Sequence, residues 1–148
     1  MKVNKNIQDI CEIMGKFSCL AFSYAYAALK DIATPEEINN EDFINVAILS
    51  NVYLALKHQD NLDEESTVLD ASKFMENVNG KKYKVTKNDN IKSLSDLANV
   101  PKACVRFDYN GNSHWVYVEF GKVVWNSIHL SKCVNLGKPT KARIIGEC

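Results

Sequence analysis

The chain has no long apolar run. No stretch approaches the roughly 18 consecutive apolar residues of a membrane helix. The basic start Met1-Lys2-Val3-Asn4-Lys5-Asn6 leads into no apolar segment of the kind a secretory signal carries. Both absences point to a cytoplasmic protein without a membrane partner. There is no net charge either, since 18 Lys and Arg balance 18 Asp and Glu. That balance removes the basic footprint expected of a nucleic-acid binder. No internal repeat, low-complexity stretch or linker interrupts the chain. There is no C-x-x-C pair. The five cysteines, Cys11, Cys19, Cys104, Cys133 and Cys148, are odd in number and scattered. They form neither a disulfide framework nor a structural zinc site.

What is present is an ordinary globular composition. The 148 residues are 46% hydrophobic and 24% charged, enough for one domain with its own core. The first half reads helical and the second strand-rich, which predicts α+β rather than alternating βαβ units. Residues from about Asn6 to Met14 form a short helix stopped by Gly15. Ser18 suits the cap of a second helix running from Cys19 to Lys30, with Phe17 in the staple position. Its Ala21, Ala25 and Ala28 allow close packing. Thr34-Pro35-Glu36-Glu37 is a further helix start. Phe43, Val46, Leu49, Val52, Tyr53 and Leu56 then recur at helical spacing. His58 to Glu65 reads as a polar loop, and Asp70 as the cap of a helix through Met75. Ser93 to Ala98 is a short helix. Strands are expected at Lys82–Thr86, Ala103–Tyr109, His114–Val118, Lys122–Asn126 and Lys141–Ile145, with Asn110-Gly111 as a turn.

Three residues carry candidate chemistry. Behind a Ser18 cap, Cys19 falls in the first turn of its helix. Unpaired backbone N–H groups there favour a thiolate and can hold an oxyanion. Cys19 itself therefore supplies one oxyanion-hole N–H; the ordinary alternative is a buried core cysteine. His114 opens a strand, and Asn126 closes the next. If Glu119-Phe120-Gly121 is a three-residue loop, Val118 pairs with Lys122 and His114 lies directly opposite Asn126. The amide would then orient the imidazole and fix its tautomer.

Ser18-Cys19-Leu20-Ala21-Phe22-Ser23 resembles the nucleophile segment S-C-W-A-F-S of the papain-like cysteine peptidases, with Leu for Trp. Asn112-Ser113-His114-Trp115-Val116 is similar to the segment that opens that family's histidine strand. Val123-Val124-Trp125-Asn126-Ser127 resembles the segment carrying its asparagine. The resemblance covers about twenty residues, in the order Cys, His, Asn. It implies a papain-like α+β fold, with a helical N-terminal half packed on a C-terminal antiparallel sheet, and a catalytic triad of Cys19, His114 and Asn126. The chain departs from the pattern where the family's oxyanion glutamine would stand: Ile13 occupies that place, and Gln8 lies further upstream. Ile128 replaces the tryptophan after the Asn-Ser pair. The short length is similar to that of the bacteriocin-leader peptidases and CHAP amidases, and His114-Trp115-Val116-Tyr117-Val118-Glu119 resembles the CHAP histidine strand. The early Cys, the His strand and the Gly137–Ile145 stretch with Arg143 are also similar to an uncharacterised family of small plasmid- and phage-borne bacterial proteins.

The resemblance implies a monomeric cysteine hydrolase acting on a peptide, isopeptide or amide bond, with a peptide or protein substrate and no metal or nucleotide cofactor. A non-catalytic binding or inhibitory protein on the same fold, which the missing glutamine favours, and a peptidoglycan amidase are the alternatives. Asp108, on the strand before His114, is the alternative orienter. Trp115, Trp125, Tyr117 and Tyr109 could wall a cleft, with core packing as the default. His129 and Cys133 have the i, i+4 spacing of helix-borne metal ligands, but no second pair completes a site. Cys11, Cys104 and Cys133 read as buried thiols, Cys148 as an exposed one, and Arg143 as the partner of a carboxylate near the sheet.

Overall fold

A computed structural model describes residues 18–58, 61–62, 67–127 and 131–148. The expected Asn6–Met14 helix, Gln8, Cys11, Ile13, Gly15, Phe17, Ile128 and His129 lie outside the described residues. The chain divides into two compact units, Met1–Lys82 and Tyr83–Cys148. The boundary falls where helical periodicity gives way to period two.

The described part of the first unit is helical: α1 Ser18–Lys30, α2 Pro35–Ile38, α3 Glu41–Lys57 and α4 Ala71–Asn79. α1 contacts α3 and α4. Ala21, Ala25 and Ala28 are wholly buried, the close packing that their small side chains permit. Asn79 Nδ2 donates to Ala28 O at 2.9 Å and ties the end of α4 to α1. Thr34 caps α2 with a reciprocal box. Its Oγ1 accepts from Glu37 N at 3.1 Å, and Glu37 Oε1 accepts from Thr34 N at 2.9 Å. A second cap, Asn40 on Phe43 N, starts α3 afresh, so the helix begun at Pro35 ends after one turn. α3 buries Ile44, Ile48, Leu49, Val52 and Ala55. Of the expected periodic set, Phe43 and Val46 are exposed; the i, i+4 row from Ile44 takes the inward face. Asp70 caps α4 through Lys73 N.

The second unit is an antiparallel sheet of β1 Tyr83–Asn88, β2 Ala103–Tyr109, β3 Asn112–Glu119, β4 Lys122–Trp125 and β5 Lys138–Glu147, in the order β1-β5-β2-β3-β4. A 3-10 helix, Leu94–Leu97, and a short helix, α5 Lys132–Leu136, complete it. Helices in one stretch and strands in the next make the fold α+β. Ala103, Val105 and Phe107 stand opposite Val118, Val116 and His114. The apolar residues of that face pack with Leu97 and Cys133 in one core cluster. Each fully buried valine there contributes about 1.5–3 kcal/mol. α5 meets the sheet at Gly137, where a Cβ would collide with the carbonyl oxygens of Cys133 and Asp108. Among the described residues, no helix is long and apolar enough to cross a membrane.

The two hairpin turns are alike in backbone. Asn110 and Gly111 have φ of 49° and 77°, and Phe120 and Gly121 have 50° and 73°. Both are two-residue turns of the primed kind that matches strand twist. The expected three-residue Glu119–Gly121 loop is thus corrected: Glu119 pairs with Lys122. Phe120 occupies a left-handed conformation unusual for a bulky residue, and its N–H bonds Val100 O at 2.9 Å. The turns differ in surroundings. A Cβ on Gly121 would lie 2.6 Å from Leu94 O, whereas one on Gly111 meets nothing within 4 Å. Gly111→Ala is therefore expected to cost about 1–2 kcal/mol, from left-handed strain alone. Gly121→Ala should cost roughly 2–4 kcal/mol, because backbone must also move. Urea unfolding of the two variants checks this; equal losses would show that the Leu94 carbonyl yields freely.

Candidate active site

The His114–Asn126 pair is built by the β3–β4 hairpin. From the turn outward, Glu119 pairs with Lys122 and Val118 with Val123, but Tyr117 pairs with Trp125. One extra residue, Val124, is accommodated as a bulge. Continued past Trp125, this register sets Asn126 opposite Val116, two places from His114 and on the same face. Direct opposition of His114 and Asn126 is therefore corrected to a diagonal relation. A diagonal of about 7–8 Å between Cα atoms is within reach of two such side chains. His114 Nε2–H donates to Asn126 Oδ1 at 2.6 Å.

The bond determines which nitrogen can act as a base. An amide oxygen only accepts, so Nε2 must carry a proton. In the neutral ring Nδ1 then holds the lone pair, available to receive a proton. His114 is 3% exposed. Burial, which disfavours the charged ring, pushes its pKa below the ordinary value; the Asn126 bond pulls the other way without cancelling it. The arrangement is a buried, oriented and neutral imidazole.

Cys19 belongs to the first unit, near the start of the described part of α1, and is half-buried. Its carbonyl accepts a hydrogen bond from the buried Ser23 Oγ at 2.9 Å. Asp108 does not serve as the orienter. It neighbours Phe107, the partner of His114, so strand alternation turns it to the opposite face. There its carboxylate accepts from Arg106 Nε at 2.8 Å, Ser113 Oγ at 2.8 Å and Thr140 Oγ1 at 2.9 Å. Burial opposes its charge, but these bonds outweigh burial and hold its pKa below the usual carboxylate value.

Trp115, Tyr117 and Trp125 also lie on that opposite face and do not wall the imidazole. Tyr117 is fully buried and donates to Glu119 Oε2 at 2.9 Å. Tyr109, partly buried against the core cluster, alone of the four shares the face of His114. The carboxylate partner of Arg143 is Asp89, at 2.7 Å, and the guanidinium also covers Trp115, 5.0 Å from the ring centre. Nothing in the sequence singled out Asp89; the β1–β5 register reveals it. Cys104 and Cys133 are buried and Cys148 exposed. Among the described residues there is no disulfide and no cluster of three side chains fit to hold a metal.

The imidazole should titrate below the ordinary 6.5 in nuclear magnetic resonance, and lower still in Asn126→Ala, which removes the interaction favouring the charged ring. The unfolded chain takes up this proton first as pH falls. The stability from neutral His114 is thus full above about pH 6.5 and is lost below it, toward the folded value. A midpoint at or above 6.5 would contradict a buried ring. Compared with family models, with curated proteins and with solved structures, the chain matches none.

Proposed function

We propose that the chain is a cysteine hydrolase of compact papain-like design, in which Cys19 is the nucleophile, His114 the general base and acid, and Asn126 its orienter. The observation that carries this reading is the Nε2–H···Oδ1 bond of 2.6 Å. It leaves Nδ1 as the basic nitrogen of a buried ring, the state that a proton-accepting histidine needs. The order Cys, His, Asn along the chain and the helical-then-sheet arrangement support it further.

In this mechanism Cys19 Sγ attacks the carbonyl carbon of an amide, peptide or isopeptide while His114 Nδ1 takes the thiol proton. The imidazolium returns that proton to the leaving nitrogen as the C–N bond breaks, and a thioester remains on Cys19. Water, deprotonated by the same nitrogen, then releases the acid and restores the thiol. The Cys19 N–H is one oxyanion donor.

Iodoacetamide labelling across pH, with the modified cysteine located by mass spectrometry, tests the reading. An ordinary thiol of pKa near 8.5 is only about 1% thiolate at pH 6.5. Cys19 should label readily there and slow about tenfold or more in His114→Ala, with the exposed Cys148 as the reference thiol. Labelling of Cys19 at the reference rate, indifferent to His114, would remove the catalytic role and leave a binding protein. Fast labelling of Cys133 instead would move the nucleophile to α5, since Cys133 packs with Phe107 and Val116 on the face of His114.

A further inference from the structure

We infer that Trp125 is the positioning residue of the site: by pairing with Tyr117 it forces Val124 into a bulge, and the bulge turns Asn126 toward His114. The inference follows from the parity of the hairpin. The turn register is Glu119 with Lys122 and Val118 with Val123. Continued without interruption, it would place Val124 opposite Tyr117, Trp125 opposite Val116 and Asn126 opposite Trp115. Asn126 would then share the face of Trp115 and Tyr117, with the sheet between it and His114. The observed pairing of Tyr117 with Trp125 shifts every later residue by one place and reverses its face.

The cause of the shift lies in which side chain gains from it. Val123 and Val124 are 38% and 37% exposed, so neither gains much by its position. Trp125 is better buried than either and stands opposite the fully buried Tyr117. An aromatic pair directly across an antiparallel ladder stabilises that register. In the uninterrupted register this pairing would be lost, and the indole would instead face Val116 on the already filled core side. A bulge in a four-residue edge strand gives up little ladder in comparison.

The consequence for hydrolysis rests on the proposed function, but the register does not, and the two are read separately. The test uses the full chain with side-chain nitrogen spectra of His114, which report the Nε2–H tautomer and the titration midpoint. Trp125→Ala should let the hairpin relax to the uninterrupted register, with loss of the Nε2–H···Oδ1 signature and a midpoint moved as in Asn126→Ala. Trp125→Phe should retain both. Deleting Val124 in the Trp125→Ala chain should restore the signature, because an uninterrupted hairpin one residue shorter again sets Asn126 opposite Val116. Mere loss of indole packing would not be repaired by a deletion. Retention of the signature in Trp125→Ala, or failure of the deletion to restore it, would overturn the inference. Should Trp125→Ala fail to fold, deletion of Val124 alone decides: the signature must survive, and its loss refutes the register. Labelling of Cys19 at pH 6.5 should fall and recover with the signature. A signature that behaves as stated while labelling stays constant would sink the catalytic reading and leave the positioning role intact.

Discussion

Successive side chains of a strand face opposite sides of the sheet, and that alternation is the constraint on which the pairing of His114 with Asn126 depends. Adding or removing one place of register between β3 and β4 would separate the two by the thickness of the sheet. The 2.6 Å bond is therefore a statement about the whole hairpin. In this chain the two-residue turn at Phe120-Gly121, the extra residue at Val124 and the alignment of Trp125 with Tyr117 together set that parity. The turn is fixed from outside as well. Val100 O receives the Phe120 N–H, and Leu94 O leaves no room for a side chain at Gly121. Left-handed strain at Phe120, of order 1 kcal/mol, is offset by a hydrogen bond that holds the turn in place.

The two faces of this sheet do different physical work. Ala103, Val105, Phe107, Val116 and Val118 make one face apolar, and His114 continues the row at its end. A ring in that position is dehydrated by the same packing that stabilises the unit, so its neutrality follows from the core. The other face gathers charge. Arg106, Asp108, Ser113 and Thr140 form a hydrogen-bonded cluster across β2, β3 and β5, and Arg143 joins Asp89 to Trp115. Such half-exposed ion pairs add little stability singly. Their geometric effect is larger, because Asp108 links the residue before His114 to β5 and so steadies the start of β3.

Much of this was legible in the sequence, and the part that was not has specific causes. Alternation located β2 to the residue, and Asn110-Gly111 announced its turn because both residues tolerate positive φ. The caps at Thr34 and Asp70 were equally plain. The second turn was hidden because phenylalanine seldom adopts the left-handed conformation, so a three-residue loop with only Gly121 at positive φ was the natural reading. The bulge was hidden because Val123-Val124 carries no polar residue to mark a break in alternation. The two departures cancel in parity. A three-residue loop puts His114 opposite Asn126, and a two-residue turn with a bulge moves Asn126 by two places; either keeps the pair on one face. Asp89 could not be assigned to Arg143 because that ion pair depends on how β1 aligns with β5, which local pattern does not specify.

The same alternation decides the charge state of the imidazole. A carboxylate bonded to Nε2 would favour the imidazolium and raise its pKa. Asp108, one residue from the partner of His114, is the acid closest in register, and alternation sends it to the far face, where Arg106, Ser113 and Thr140 engage it. The group that does reach Nε2 is a neutral amide, which fixes the tautomer while adding no full charge. Burial then prevails, and no charged side chain among the described residues enters the balance. A neutral ring with its lone pair on Nδ1 is suited to taking a proton from a thiol. Under the proposed hydrolase reading, the rate should therefore rise with pH as His114 loses its proton.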